Sequence, residues 1–320
     1  MQVRRPFAAV LAVGTLLLAS ACAGDNLSNG KSGSSPSDSA SSGSADKGAV
    51  HIAGQNFPEA QLVAAMYDEL LTKAGYDTDV KLVDSRDVYM KTFPGAVDVV
   101  PEYVGGILDY LNTTQNGAKA KPITTSDAQA SIEAGKSLLS EQGITLLDPS
   151  QATDTNAFFV SKDYASSENV STLSDLKGKS VVLAAAPDCE GRQDCEGGLS
   201  GAYGIDVTKV LPLGYASDQT YQSVLKGESQ LGETSTTDGT LESQGLVLLD
   251  DDKHIQPAQN LVPAVSSDFL AAHPDVAGTL NGLMAALTTE KLTQLNGEVT
   301  VDRKTPADVA DEFLTQAGLV

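Results

Sequence analysis

Tryptophan is absent, aromatics make up only 5% of the 320 residues, and there are three histidines and three cysteines. So few aromatics leave each tyrosine conspicuous. His51, His254 and His273 are scattered, so no His-based metal site and no His-activated nucleophile can be assembled from neighbours in the chain. The sequence also lacks a G-x-S-x-G elbow, a Walker A loop and an H-E-x-x-H pair. Gly197, Gly198, Gly201 and Gly204 do not follow a strand with dinucleotide spacing and are expected to make turns. The run Asp250, Asp251, Asp252 lacks the alternating ligands and bidentate glutamate of a calcium loop, and is expected to be a solvated loop. Positive charge is scarce: 21 Lys and Arg stand against 42 Asp and Glu, a net charge of −21. That balance excludes nucleic acid and anionic lipid surfaces as partners.

Beyond the first 22 residues no apolar run approaches the length of a membrane span. The opening itself has Arg4 and Arg5, an apolar run from Phe7 to Leu18, and then Ala19, Ser20 and Ala21 before Cys22. This order predicts a signal peptide over 1–21 with lipid attached to Cys22, although the leucine usual three residues before the cysteine is here Ala19. Residues 22–48, rich in Ser, Gly, Ala and Asp, have almost nothing to bury and are expected to form a flexible tether. The expected location is the outer face of the cell membrane, held by lipid alone. In such an oxidising exterior Cys189 and Cys195 are expected to pair as a disulfide, since no histidine sits at metal-ligand spacing from them.

From residue 49 on, strand-like and helix-like runs alternate. Ala49–Ala53 reads as a strand and Phe57–Ala74 as a helix with Leu62, Val63, Met66, Tyr67, Leu70 and Leu71 on one face. Strands at Asp79–Val83 and Ala96–Val100 flank a short helix at Val88–Phe93. A second series has strands at Ala157–Ser161, Ser180–Ala185, Val207–Leu213 and near Leu231, with a helix at Gln219–Lys226. Strands at Leu246–Leu249 and Val262–Val265, then helices at Pro274–Leu287, Thr289–Leu295 and Pro306–Ala317, finish the chain. Such alternation predicts parallel α/β sheets with sites at the carboxyl ends of strands. The fold class expected is α/β with two lobes, residues 49–152 and 241–320 forming one and 153–240 the other, and a ligand cleft between them.

Seven short segments carry a resemblance. They are Gln55-Asn56-Phe57-Pro58-Glu59; Pro101-Glu102-Tyr103 with Gly105; Arg192-Gln193-Asp194 with Gly198-Leu199 and Tyr203-Gly204; Thr220-Tyr221-Gln222 with Leu225 and Gly227; Thr237-Asp238-Gly239; Leu249 and Asp251-Asp252-Lys253-His254 with Pro257 and Pro263; and Leu295-Asn296 with Phe313-Leu314 and Gly318-Leu319. Together they resemble, in order and over the whole body, the glycine betaine, choline and carnitine binding proteins of osmoprotectant ABC importers. The resemblance implies a periplasmic-binding-protein-like receptor, monomeric, that captures a small solute, docks on an ABC permease and catalyses nothing, with no cofactor and no metal.

In that family a quaternary ammonium, which cannot donate hydrogen bonds, is held against aromatic faces at about 0.5–2 kcal/mol per ring. A carboxylate on the ligand is met by an arginine. The resemblance assigns Tyr103 to the first cage tyrosine, Asp154 to the acidic neighbour of the second and Arg192 to the arginine, with Gln55 and Asn56 in the opening motif. Three cage positions depart, being Asn156, Ser235 and Gln259. These side chains fit hydroxyls or amides, so the expected alternative ligand is a more hydroxylated polar solute. Tyr89, Tyr215, Tyr221 and Phe57 are the aromatics available to rebuild a cage.

Overall fold

The computed structural model describes residues 47–117 and 119–320. The expected signal segment, Cys22 and all but the last two residues of the expected tether lie outside the described residues.

Ten strands divide between two sheets. In chain order they are β1 (Ala49–Gln55), β2 (Asp77–Val83), β3 (Val99–Tyr103), β4 (Ile144–Leu146), β5 (Asn156–Ser161), β6 (Ser180–Ala185), β7 (Asp206–Pro212), β8 (Leu231–Ser235), β9 (Leu246–Leu249) and β10 (Leu261–Ser266). The first sheet has the order β2-β1-β3-β10-β4 and the second β7-β6-β8-β5-β9. Each has a parallel centre, β2-β1-β3 and β7-β6-β8, extended by a strand running the other way, β10 and β5.

The first helix, Pro58–Lys73, buries the expected stripe of Leu62, Val63, Met66, Tyr67, Leu70 and Leu71. That stripe packs on Val309, Phe313 and Leu314 of the last helix, Pro306–Ala317, and on Val50 and Ile52 of β1. Each fully buried Leu or Met there contributes roughly 1.5–3 kcal/mol relative to exposure. A second cluster, with Val100, Val104, Ile107, Leu108 and Val262, covers the other face of the same sheet. The second sheet is covered likewise on both faces, by clusters built around Phe158, Leu183 and Tyr203 and around Phe159 and Tyr221.

Several expectations differ from the fold: Gly197, Gly198 and Gly201 lie in the short helical segments Glu196–Gly198 and Leu199–Tyr203 rather than in turns, and the short helix expected at Val88–Phe93 is Arg86–Tyr89. The third strand runs Val99–Tyr103 rather than Ala96–Val100, and so passes through Pro101. Proline is tolerated because the β1–β3 ladder pairs only Ile52 with Val99, leaving no bond for the missing N–H of Pro101 to make; on its other side Pro101 faces Pro263 of β10. The expected return to the first lobe at residue 241 is also too early. Leu246–Leu249 pairs antiparallel with β5, Phe158 opposite Leu249 and Ser161 opposite Leu246, so it closes the second sheet. The chain crosses back only between Leu249 and Leu261.

The two crossings, 147–155 and 250–260, run side by side. Thr153 and Asn260 form an antiparallel bridge, and the Asp154 N–H donates to the Gln259 carbonyl at 3.1 Å. Because β5 begins where β8 ends, with Asn156 opposite Ser235, and β10 begins where β3 ends, with Leu261 opposite Tyr103, the carboxyl ends of both parallel centres face these crossings.

Candidate functional site

Tyr103 is the last residue of β3 and is buried, 8% exposed. Its hydroxyl donates to Glu59 Oε1 at 2.6 Å. Glu59 lies in the first turn of Pro58–Lys73 and is buried, and its Oε2 accepts from Asn296 Nδ2 at 2.6 Å. Burial raises the Glu59 carboxyl above the ordinary carboxylate value, while the bonds from Tyr103, Thr237 and Asn296 pull the other way. Asn296 also donates to the Thr237 carbonyl at 3.0 Å, which ties the helix Thr289–Thr300 to the loop after β8.

Asp154 sits on the first crossing. Burial, and then the charge of Glu59, push its carboxyl up to about 7 against the hydroxyls of Ser235 and Thr237. Its Oδ1 is out of contact with solvent and has no hydrogen-bond partner. The Tyr103 phenol is driven far up by burial and by the charges of Glu59 and Asp154.

Arg192 is held by a tight loop closed by the Cys189–Cys195 disulfide, whose two cysteines are fully buried. Its Nε and Nη2 donate to the Asp194 carboxylate at 3.0 and 2.6 Å, and Nη1 lies 3.2 Å from Asp188. Those hydrogen bonds raise the guanidinium further above its already high value. The disulfide sulfurs and Glu233 are close enough together for a metal, yet both sulfurs are consumed in the bond to each other.

The three departing positions are all engaged within the protein. Asn156 Nδ2 donates to Asp194 Oδ2 at 3.1 Å. Gln259 Oε1 accepts from the Gly106 N–H at 2.9 Å, and a Cβ at Gly105 would strike the same glutamine. The Ser235 hydroxyl shares a 3.3 Å bond with that of Thr237. At the head of the first helix, Asn56 Oδ1 accepts from Gln61 Nε2 at 2.8 Å. The extended N-cap residue is Phe57. Gln55 ends β1 half-buried.

Among the four spare aromatics, Tyr89 donates to Glu102 beside Arg86 inside the first lobe, and Tyr221 donates to Asp238 at 2.6 Å. Phe57 packs against the first core. Tyr215 differs. It follows the carboxyl end of β7 and keeps 43% of its surface exposed. Its phenol is nonetheless pushed up by burial and by the charges of Asp154 and Glu233. Sequence reasoning passed over Glu59, Asn296 and Glu233 as site residues. Glu59 and Asn296 did stand within two of the quoted segments, whereas Glu233 carried no such signal.

A cavity of about 1340 Å³ also opens beside the crossings, against the helix Thr289–Thr300 and β9. It shares Asn156 and Asp238 with this constellation but does not reach Tyr103, Asp154 or Arg192. The strand ends, where chemistry-bearing side chains converge, are therefore the better site.

The substrate binding domain of the ABC-type glycine betaine transport system matches residues 48–316. A glycine-betaine-binding protein of Pseudomonas aeruginosa is 27% identical over 283 residues, covering 85% of this chain and 88% of its own. A carnitine transport binding protein of Listeria monocytogenes is 26% identical over 281 residues, with the same two coverages. The crystal structure of a glycine betaine/carnitine/choline ABC transporter protein superposes with a TM-score of 0.72 at 23% identity, over 85% of this chain and 98% of that one, which shows the two-lobed fold. With its family match spanning nearly all of the described body, this chain belongs to the substrate-binding proteins of ABC-type glycine betaine importers.

Proposed function

We propose that the receptor takes a trimethylammonium solute of the glycine betaine, choline or carnitine type and hands it to its permease without chemical change. The observation that carries this reading is the site's charge. The charges of Glu59 and Asp154 act on Tyr103, that of Asp238 acts on Asp154, and no Lys or Arg among the described residues forms an ion pair with any of the three. A permanent cation that offers no N–H matches such a place better than a neutral solute does. Tyr103 and Tyr215 supply rings from the two lobes. Arg192 offers five N–H donors, of which Asp194 takes two while Nη1 lies 3.2 Å from Asp188, so donors remain for a ligand carboxylate. A more hydroxylated solute is less well served, because the side chains of Asn156, Ser235 and Gln259 are already bonded within the protein.

The relatives' names support the same ligand class. We also propose that Cys22 carries lipid and that the receptor works as a monomer on the outer face of the membrane; a Cys22→Ala chain should then appear in the medium. The ligand is tested by thermal shift and calorimetry of residues 47–320 against betaines, choline, carnitine, polyols and sugars. A true ligand at a hundred times its Kd should add about 2.7 kcal/mol of stability. Tyr103→Ala should weaken glycine betaine about 10-fold, corresponding to a ring contact of roughly 1–2 kcal/mol. A response to polyols alone would refute the reading.

A further inference from the structure

Three carboxylates meet at the crossing in unequal circumstances. Glu59 is bonded on both oxygens, to Tyr103 and Asn296. Asp238 accepts from Tyr221 and Thr234 at 2.6 Å each, and its other oxygen accepts from Thr240. Only Asp154 has an oxygen, Oδ1, that is buried and unpartnered. Everything facing it is acidic or neutral: Glu59 from the first helix, Tyr103 from β3, Tyr215 after β7, Ser235, Thr237 and Asp238 at and after β8. Among the described residues no Lys or Arg pairs with it, and Arg192 pairs instead with Asp194 and Asp188.

Two close buried carboxylates without a countercharge cannot both ionise cheaply, so the pair retains a proton that each would lose in water. We propose that the empty receptor holds a proton on Asp154, in the field of Glu59, and that the arriving cationic head of the ligand replaces it, so that capture is an exchange of a cation for a proton. The O–H bond of the Asp154 carboxyl breaks, the proton leaves to solvent, and the carboxylate left behind faces the quaternary ammonium. No other bond changes. This rests on the ligand class proposed above and adds a coupling that the ligand class alone does not require.

The sign follows from the Asp154 carboxyl titrating at about 7 in the empty protein. A bound cation favours the ionised form and lowers that value. Below neutrality each capture must then expel a proton, and affinity rises with pH. Above it the carboxylate is already bare, and affinity levels off.

Calorimetry with choline and with glycine betaine settles the point, run at one pH in buffers of different ionisation enthalpy and repeated from about pH 5.5 to about pH 8.5. We expect release of about one proton per ligand at the acid end and a Kd that falls up to about 10-fold per pH unit before flattening near neutrality. Asp154→Asn, checked for native unfolding, should bind more weakly and with no pH dependence. Heat that is independent of buffer, with a flat Kd over that range while the ligands still bind, overturns the exchange and leaves the ligand class standing. A pH dependence that persists unchanged in Asp154→Asn also overturns it. Failure of every trimethylammonium compound to bind at any pH removes the ligand class and the exchange together.

Discussion

Tyr103, Glu59 and Asp154 are linked in series: Tyr103 donates to Glu59 at 2.6 Å, and the charge of Glu59 raises the Asp154 carboxyl after burial. The consequence for stability has a definite sign. Asp154 titrates near 3.8 when exposed and at about 7 in the folded protein, so the folded state holds more protons between those values. Its contribution to stability is therefore intact at acid pH and is lost as pH rises towards neutrality. Asp154→Asn should thus stabilise the empty receptor more at pH 8 than at pH 5, the difference being on the order of 2–3 kcal/mol. Urea unfolding at the two pH values checks this; equal effects at both would show that Asp154 is already ionised at pH 5. At this scale the sequence was partly legible. Tyr103 and Arg192 were expected from short motifs, and Asp154 only from the register of the resemblance. Glu59 stood within one of those motifs, but its role depends on Asn296, 237 residues away. No local spacing encodes that contact.

Among the elements, the loop from Cys189 to Cys195 is the one whose conformation is fixed covalently. It has a sequence separation of 6, so its closure should stabilise the protein by about 2 kcal/mol in the chain-entropy account. Replacing both cysteines with alanine should lower urea stability by that amount. It should also weaken glycine betaine more than choline, since the loop presents Arg192 and only betaine has a carboxylate to place on it. Equal losses for the two ligands would separate the loop from carboxylate recognition. Element identities were readable wherever apolar periodicity was strong, as in the helix Pro58–Lys73 and the last helix behind its Thr305 cap. The expected elements leave 104–146 blank, where the helix Val104–Asn116 opens with Gly105 and Gly106 and no side-chain cap. The helix Ala128–Gln142 does carry signals, Asp127 accepting from the Ala130 N–H at its start and left-handed Gly143 at its end. β9 was recognisable as a strand. Its sheet was not, because a short apolar run does not record which neighbour it pairs with.

At the scale of the whole molecule, the two crossings are supplemented by a third link. The helix Thr289–Thr300, which belongs with the first lobe, bonds the second through Thr293 Oγ1 to the Thr236 carbonyl at 3.2 Å and Asn296 Nδ2 to the Thr237 carbonyl at 3.0 Å. Their backbones approach so closely at Gly239 and Gly297 that a Cβ on Gly239 would run into Gly297 N and the Thr293 carbonyl. Gly239 has an ordinary φ, so alanine there is unstrained by itself and acts purely as a wedge between the lobes. Asn296 also bonds Glu59, which bonds Tyr103, so a displacement of this helix is felt at the ring proposed to contact the ligand. Gly239→Ala is therefore expected to cost about 1–3 kcal/mol of stability by overpacking, and to weaken ligand binding although it touches no ligand. Gly278→Ala makes the matching control, since that glycine lies in the helix Asp275–Ala286 with open space around its missing Cβ. It should gain roughly 0.5–1 kcal/mol through helix propensity and leave binding alone. If Gly239→Ala loses stability while its Kd for choline and betaine stays unchanged, the third link braces the fold without governing how the lobes hold the solute.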